Sequence, residues 1–134
     1  MLKDFSILLP EARLAGVDVS EYAIGHADPT VADCVQVSNA TMLPFEDDSF
    51  DLVISINTIH NLDRPQCLRA LREIERVSRG NAFVMVDGWK TPEEQQLLME
   101  WVLTARTMLS SQDWIELMSE AGYTGDYEFW NPLK

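Results

Sequence analysis

The chain has 134 residues, of which 46% are hydrophobic and 24% are charged, with a formal net charge of −12 at pH 7. This size and composition predict a single globular domain over residues 1–134 and exclude disordered and fibrous proteins. Because nucleic-acid backbones are bound by clustered Lys and Arg, and the chain has ten of these against 22 Asp and Glu, we expect a small-molecule or peptide partner and no nucleic acid.

Cysteine usage and hydrophobic patterning bear on the cellular compartment. Cys34 and Cys67 lie in unrelated segments, without the spacing of a zinc site or a disulfide framework. The apolar N-terminal residues are interrupted by Pro10 and Glu11, and no window reaches membrane-spanning length. We therefore predict a cytoplasmic protein with no metal site and no membrane partner.

The sequence of the first third of the chain predicts short helices and strands. Hydrophobic spacing, turn residues and the N-cap position of Ser20 predict helix over residues 2–9, a buried strand over 14–19, helix over 20–27 and a strand over 35–38. The strand over 14–19 delivers Asp18 close to its carboxyl end, directly before the predicted cap.

The remainder of the chain predicts longer elements, beginning with residues 50–57. This segment is apolar on both faces, as expected of a strand buried between two helical layers. Capping signals and periodicity then predict a helix from Asp63 to about 79, a strand over 81–89, a helix from Thr91 to about 107, a helix from Ser110 to Gly122 and a strand over 125–130. Trp101, Met108, Trp114 and Met118 are predicted to be core residues, and the alternative is that they build an acceptor pocket.

The alternation of strands and helices predicts an open, mostly parallel sheet covered by helices, which is an α/β fold. Ligands bind beyond the carboxyl ends of the strands in such sheets. Polar residues follow three of the predicted strands, namely Asp18, Asn39 and the group from Asn57 to His60. The sequence therefore predicts a ligand site at this edge of the sheet.

Two stretches resemble the class I S-adenosylmethionine-dependent methyltransferases, of the type 11 group. They are GVDVS at residues 16–20 and VSNATMLPFEDDSFDLVISINTIHNL at residues 37–62, and the resemblance extends from residue 14 to about residue 129. It implies a three-layer, Rossmann-like methyltransferase fold. It also implies S-adenosylmethionine as cofactor, S-adenosylhomocysteine as product, and methyl transfer to an acceptor that the sequence does not identify.

The resemblance assigns the nucleoside part of the cofactor to two segments. The carboxylate of Asp18, with Val19 beside it, would accept both ribose hydroxyls as charge-assisted hydrogen bonds. The side chain of Asn39, where many members carry Asp, would accept from the adenine amino group. The backbone of Ala40 would meet a ring nitrogen, and Thr41 is a further cofactor-binding residue. The alternatives are a helix N-terminal acid and a turn-forming asparagine.

The resemblance assigns the methionine part of the cofactor to the backbone of Ile56 and Asn57, and it places His60 and Asn61 near the acceptor. His60 is a weak candidate for a general base because the pKa of imidazole lies near neutrality. The competing interpretation is a histidine that caps or packs the loop.

One motif of the family is absent from the sequence. No acid-x-Gly-x-Gly turn occurs, although the resemblance implies a first strand with this turn between strands 14–19 and 50–57. A final antiparallel strand is also expected and not found, so we predict a truncated fold. Three arrangements remain open. Strands 14–19 and 50–57 pair directly, a second copy forms a homodimer through exposed strands or the segment from Phe5 to Leu9, or a shortened chain binds the cofactor weakly or not at all.

The leading functional hypothesis is S-adenosylmethionine-dependent methyl transfer by a minimal methyltransferase. The alternative is a non-catalytic relic that acts as an oligomerising or partner-binding module. A nicotinamide-dependent oxidoreductase ranks last, because its glycine fingerprint is also absent and a stretch like LPFEDDSFD is not expected there.

Overall fold

Parallel strand pairs form the framework of both parts of the chain in the computed structural model, which describes residues 1–133. The chain divides into two units, an N-terminal unit Met1–Pro44 and a C-terminal unit Phe45–Lys134. Each contains helices and a parallel sheet, so the predicted mostly parallel α/β fold is confirmed. That residues 1–134 form a single domain stays a prediction.

The N-terminal unit is a small two-stranded arrangement. Its elements are α1 (Leu2–Leu8), β1 (Gly16–Asp18), α2 (Glu21–Gly25) and β2 (Val35–Val37). Strands β1 and β2 pair in parallel, with Asp18 opposite Val37. The Oγ of Ser20 accepts a hydrogen bond from the backbone N–H of Ala23 at 3.1 Å, which confirms the predicted N-cap of α2.

Few side chains of the N-terminal unit are buried. Val31 is its one buried hydrophobic residue among those described, whereas Ile7, Leu8 and Tyr22 are exposed. The strand predicted over 14–19 is present as β1, but its predicted burial is wrong, because β1 is three residues long and pairs with one strand. A two-stranded sheet of this size cannot cover both of its faces.

The C-terminal unit is built around one long strand. Its elements are β3 (Val53–Ile56), α3 (Arg64–Val77), β4 (Ala82–Trp89), α4 (Pro92–Trp101), β5 (Leu109–Ser110), α5 (Ser111–Ala121) and β6 (Asp126–Trp130). Strand β4 pairs in parallel with β3, β5 and β6. The two-residue strand β5 was not predicted, since a segment this short carries no periodic signal.

The core of the C-terminal unit follows directly from sequence periodicity. Helix α3 begins with a capping box, in which Asp63 and Gln66 bond each other's backbone N–H. Helices α3 and α5 pack together, and alternate residues of β4 are buried. The largest buried side chains of these elements are Leu71, Val77, Val84, Val86, Trp114 and Leu117.

Helix α4 ends earlier than predicted. It stops at Trp101 rather than near residue 107, because the backbone N–H groups of Arg106 and Thr107 donate to the carbonyl of His60 at 2.9 and 3.0 Å. These distant contacts fix residues 106 and 107 outside a helix. Trp101 is 66% exposed and is not a core residue, whereas Trp114 and Met118 are buried as predicted.

Strand β3 differs from its prediction in burial. It is half-buried rather than buried on both faces, and the neighbouring Leu52 is 52% exposed. Among the described residues β3 pairs with β4 alone, and β1 belongs to a separate sheet with β2. The direct pairing of segments 14–19 and 50–57, which was one of three expected arrangements, is therefore wrong.

Candidate functional site

The first group of candidate residues lies at the carboxyl edge of the sheet in the N-terminal unit. Asp18 ends β1, and its backbone carbonyl accepts from the N–H of Ser38 at 2.9 Å, one residue before Asn39. The exposed carboxyl group of Asp18 accepts through Oδ1 from the N–H of Ser20 at 2.8 Å. The adjacent Val19 is 64% exposed. The structure thus brings Asp18 and Asn39 to neighbouring strand ends, as predicted.

Asn39 forms a tight turn with the residues that follow it. Its Oδ1 accepts from both the backbone N–H and the hydroxyl of Thr41, each at 2.9 Å, and its carbonyl accepts from the N–H of Met42. Both lone pairs of the amide oxygen are engaged within this turn. Acceptance of an adenine amino group by Asn39 therefore requires one Thr41 bond to open, whereas its Nδ2 is available as a donor. Ala40 lies half-buried inside the turn.

The second group of candidates follows β3 in the C-terminal unit. Asn57 adopts the left-handed conformation at φ 51°, which asparagine tolerates better than most residues. Its backbone N–H donates to the carbonyl of Met85 at 2.9 Å. The carbonyl of Ile56 accepts from the hydroxyl of Thr58 at 3.0 Å. The backbone here turns sharply away from the sheet and leads into a 3₁₀ turn over residues 59–61.

His60 lies within that turn and is only 5% exposed. Its Nδ1 accepts a hydrogen bond from the backbone N–H of Asp87 at 3.1 Å, so the ring proton belongs on Nε2. Burial lowers the pKa of His60, although the nearby carboxylate of Asp87 opposes this shift. His60 thus bonds β4 through Nδ1 and the segment at residues 106–107 through its carbonyl. These contacts agree with a histidine that packs the loop.

A cavity of about 270 Å³ opens beside His60, wholly within the C-terminal unit. Its polar lining consists of Asn57, His60, Asp87 and Thr104. Its apolar lining consists of Leu98, Trp101, Val102 and Trp130. The carboxyl ends of β3, β4 and β6 thus meet the last turn of α4 around one space.

Asp87 was missed by the sequence reasoning, and it is the one charged residue of β4. Its side chain is 14% exposed, and its Oδ2 lies 3.7 Å from Nδ1 of His60, beyond hydrogen-bonding distance. Burial raises the pKa of the Asp87 carboxyl group, and His60 opposes this shift. A lone carboxylate in an otherwise apolar strand, near its carboxyl end, is the signal that could have revealed it.

Thr104 and Trp130 were not predicted as lining residues, and for Trp101 a pocket was only the alternative to a core position. Register explains Trp130, because β6 pairs in parallel with β4 and sets Trp130 opposite Asp87. Side chains at paired positions of neighbouring strands lie on the same face. Trp101 reaches the cavity because α4 ends at this residue. Neither the register of β6 nor the end of α4 is encoded in local sequence.

No group of three or more His, Cys, Asp or Glu side chains that could hold a metal occurs within residues 1–133. None of the helices in this range is long and apolar enough to cross a membrane.

Comparison with known proteins identifies a family. The model of the family described as "Methyltransferase domain" matches residues 2–86, which is more than half of the chain. The matched range includes His60 and all the predicted cofactor residues. Asp87, Trp101 and Trp130 lie beyond it.

Two curated relatives and one solved structure are similar over much of the chain. An uncharacterized protein of Haemophilus influenzae is 29% identical over 123 residues, covering 83% of this chain and 49% of its own. The mouse protein named Probable tRNA methyltransferase 9B is 32% identical over 90 residues, covering 60% of this chain and 20% of its own. This chain thus spans about half of the first relative and a fifth of the second.

The similar solved structure supports the predicted fold of this chain. It is the complex between the Haloferax volcanii Trm112 methyltransferase activator and a protein described as a methyltransferase, with a TM-score of 0.69 and 22% identity, covering 90% of this chain and 55% of that one. With the family match over residues 2–86, this likeness confirms the predicted Rossmann-like fold. The chain belongs to the methyltransferase domain family.

Proposed function

We propose that this chain binds S-adenosylmethionine and takes part in methyl transfer to an acceptor held at the carboxyl edge of its β-strands. The observation that carries the proposal is the family match over residues 2–86, which contains all the polar residues predicted at three strand ends. When bound, the cofactor supplies a methyl group on a sulfonium sulfur. Catalysis then depends mainly on proximity and orientation.

The polar groups at the edge of the N-terminal unit fit the nucleoside part of this cofactor. Asp18 is exposed and uses Oδ1 for a single backbone hydrogen bond, so its other oxygen is available to a ribose hydroxyl. In this proposal Asp18 and Val19 hold the ribose, and the turn of Asn39, Ala40 and Thr41 holds the adenine. The amide of Asn39 offers Nδ2 directly, and Oδ1 once a Thr41 bond opens.

The residues after β3 carry the rest of the proposal. The backbone at Ile56 and Asn57 contacts the methionine part of the cofactor. His60 is a positioning residue, since its Nδ1 is already bonded to the N–H of Asp87. We assign no general base.

The decisive experiment is calorimetric titration of the chain with S-adenosylmethionine and S-adenosylhomocysteine, comparing Asp18→Ala and Asp18→Asn with wild type. Loss of a charged hydrogen-bonding partner at about 1.5–3 kcal/mol predicts cofactor affinity about tenfold to a hundredfold lower for Asp18→Ala. Asp18→Asn keeps an acceptor for Ser20 and removes the charge, and we expect an intermediate loss.

Glu21→Gln is the matched control, because Glu21 is an exposed acid three residues away with no side-chain bond among the described residues. Its affinity should equal that of wild type. Equal affinities for all three variants would contradict the assignment of Asp18. No binding at millimolar ligand would contradict cofactor binding by this chain.

The acceptor belongs to the small-molecule or peptide class in this proposal. The net charge of −12 repels a phosphate backbone and attracts cationic ligands. A relative is named as a tRNA methyltransferase, which makes RNA the competing acceptor. A filter-binding assay with tRNA at 50 and 200 mM salt tests this, and we expect no retention at either concentration.

The second candidate function is partner binding, with a homodimer as the simplest case. Ile7, Leu8 and Leu9 are exposed around the end of α1, and a structural neighbour was solved in a complex with an activator. Light scattering with Leu8→Glu tests it. A wild-type dimer that becomes monomeric in this variant supports self-association, and a wild-type monomer contradicts it.

A further inference from the structure

The cavity of the C-terminal unit contains a carboxylate without a hydrogen-bond donor. None of the described residues donates a hydrogen bond to the carboxyl oxygens of Asp87, although its backbone N–H and carbonyl bond His60 and Trp114. The approach to Nδ1 of His60 at 3.7 Å is not an ion pair, because that nitrogen accepts the N–H of Asp87 and carries no proton. A mostly buried carboxylate in this state favours a ligand that brings donors and positive charge.

Two tryptophan rings line the same cavity. Trp130 is 38% exposed and lies opposite Asp87 in the strand register, while Trp101 is 66% exposed at the end of α4. Exposed indole rings are costly on a free surface and are enriched where ligands bind. Their faces attract cations, and tryptophan does so best among the aromatic residues.

Within the part of the chain that the structure describes, none of the eight residues that line the cavity is Lys or Arg. Its volume of about 270 Å³ lies near the lower end of the range for ligand pockets, about 300–1,000 Å³. A carboxylate beside two indole rings in a small cavity is the arrangement that recognises an ammonium group with a short alkyl chain.

We propose that this cavity is the acceptor pocket and that it binds a protonated alkylamine, with Asp87 receiving the ammonium N–H groups and the rings of Trp101 and Trp130 covering the cation. The assignment as acceptor pocket rests on the proposed methyltransferase function, whereas the binding of an amine does not. These three residues lie outside the range matched by the family model, residues 2–86, so the specificity is a feature of this chain's own later segments.

Two other occupants would each satisfy part of the cavity. A flat nucleobase could stack on the indole rings, but stacking alone leaves the Asp87 carboxylate buried without a donor. The methionine part of the cofactor also carries an ammonium group, and Asn57 lies in the same lining. Both are therefore outcomes of the test.

The experiment is a titration of the full chain with n-butylammonium chloride and, as a neutral probe of similar shape, 1-butanol. The indole N–H signals of Trp101 and Trp130 are followed by nitrogen-15 correlation spectra at pH 7 and constant ionic strength. We expect the ammonium to bind about tenfold more tightly than the alcohol, and Asp87→Asn to remove this preference. Trp101→Leu, at an exposed position, should weaken ammonium binding about twofold to fivefold.

Asp126→Asn is the matched control, because it changes the net charge equally at the amino end of β6, where Asp126 is exposed. Ammonium binding should be unchanged in this variant. Equal affinity for ammonium and alcohol, or equal loss in Asp126→Asn and Asp87→Asn, overturns the proposal. The proposal is also overturned if adenosine or cytidine shifts the two indole signals and butylammonium does not. That result would favour a nucleobase acceptor.

Calorimetry with S-adenosylmethionine on the same variants separates this proposal from the function on which it rests. We expect Asp87→Asn to retain wild-type cofactor affinity. Loss of cofactor affinity equal to the loss of ammonium affinity assigns the cavity to the methionine part and overturns the acceptor pocket. If wild type binds butylammonium but no cofactor, the amine site stands and the methyltransferase function fails.

Discussion

The two units hold their candidate residues by different means. In the N-terminal unit the side-chain hydrogen bonds of the candidate residues span two residues, as between Asp18 and Ser20 or between Asn39 and Thr41. In the C-terminal unit the cavity depends on bonds between distant segments, such as that from the indole N–H of Trp114 to the carbonyl of Asp87 at 2.9 Å. The side chains of Asp18 and Asn39 are thus held by local turns, whereas the cavity depends on packing between distant segments.

This difference extends to the hydrophobic core. All the buried hydrophobic residues among those described, except Val31, belong to the C-terminal unit. Since burial of apolar surface is the main stabilising term in folding, the free energy of unfolding should depend on substitutions in one unit far more than on those in the other.

Substitution of one leucine in each unit tests this dependence and gives the largest expected effect. Leu71→Ala removes a fully buried side chain of α3, and we expect the free energy of unfolding to fall by about 2–5 kcal/mol. Leu8→Ala removes an exposed side chain of α1 and should change it by less than about 0.5 kcal/mol. Urea denaturation followed by circular dichroism measures both. A large loss in Leu8→Ala would show that the N-terminal apolar residues are covered in solution.

The helix caps give a smaller contrast. Asp63 caps the 14-residue helix α3 and Ser20 caps the five-residue helix α2, each through a side-chain bond to a backbone N–H. Asp63→Ala should lower the free energy of unfolding by about 1 kcal/mol. Ser20→Ala should leave it almost unchanged and raise hydrogen exchange only around residues 21–25. Equal losses in both variants would mean that the two units unfold as one cooperative body.

The same division decides what the sequence could predict. Asp18, Asn39 and Asn57 follow strand ends, and their turns depend on neighbouring residues, so short motifs identified them. The cap of α3 and the Ser110 cap of α5 could be predicted from the sequence for the same reason.

The cavity could not be predicted in this way. Trp101 was assigned to the core on hydrophobicity, and its exposure follows from α4 ending early, which depends on bonds from residues 106 and 107 to His60. Trp130 meets Asp87 only through the register of β6 on β4. Both facts are non-local, and no single segment of the chain contains them.

The last prediction has the smallest effect and the opposite sign. Burial raises the pKa of Asp87 in the folded chain, so the folded state binds its proton at a higher pH than the unfolded state does. The contribution of this group to stability therefore falls as the pH rises from the unfolded carboxyl value through the folded pKa. At pH 7 the raised pKa of Asp87 therefore corresponds to a loss of stability, and Asp87→Asn should be more stable than wild type. At pH 3 the difference should vanish.

Thermal unfolding of wild type, Asp87→Asn and Asp126→Asn at pH 3, 5 and 7 measures this gain. The exposed Asp126 should give no gain specific to neutral pH. A destabilising carboxylate that lines a cavity is consistent with a binding role, because function often costs stability. If Asp87→Asn is instead less stable than wild type at pH 7, the carboxylate already has a stabilising partner in the chain, and it would then have no need of an ammonium ligand.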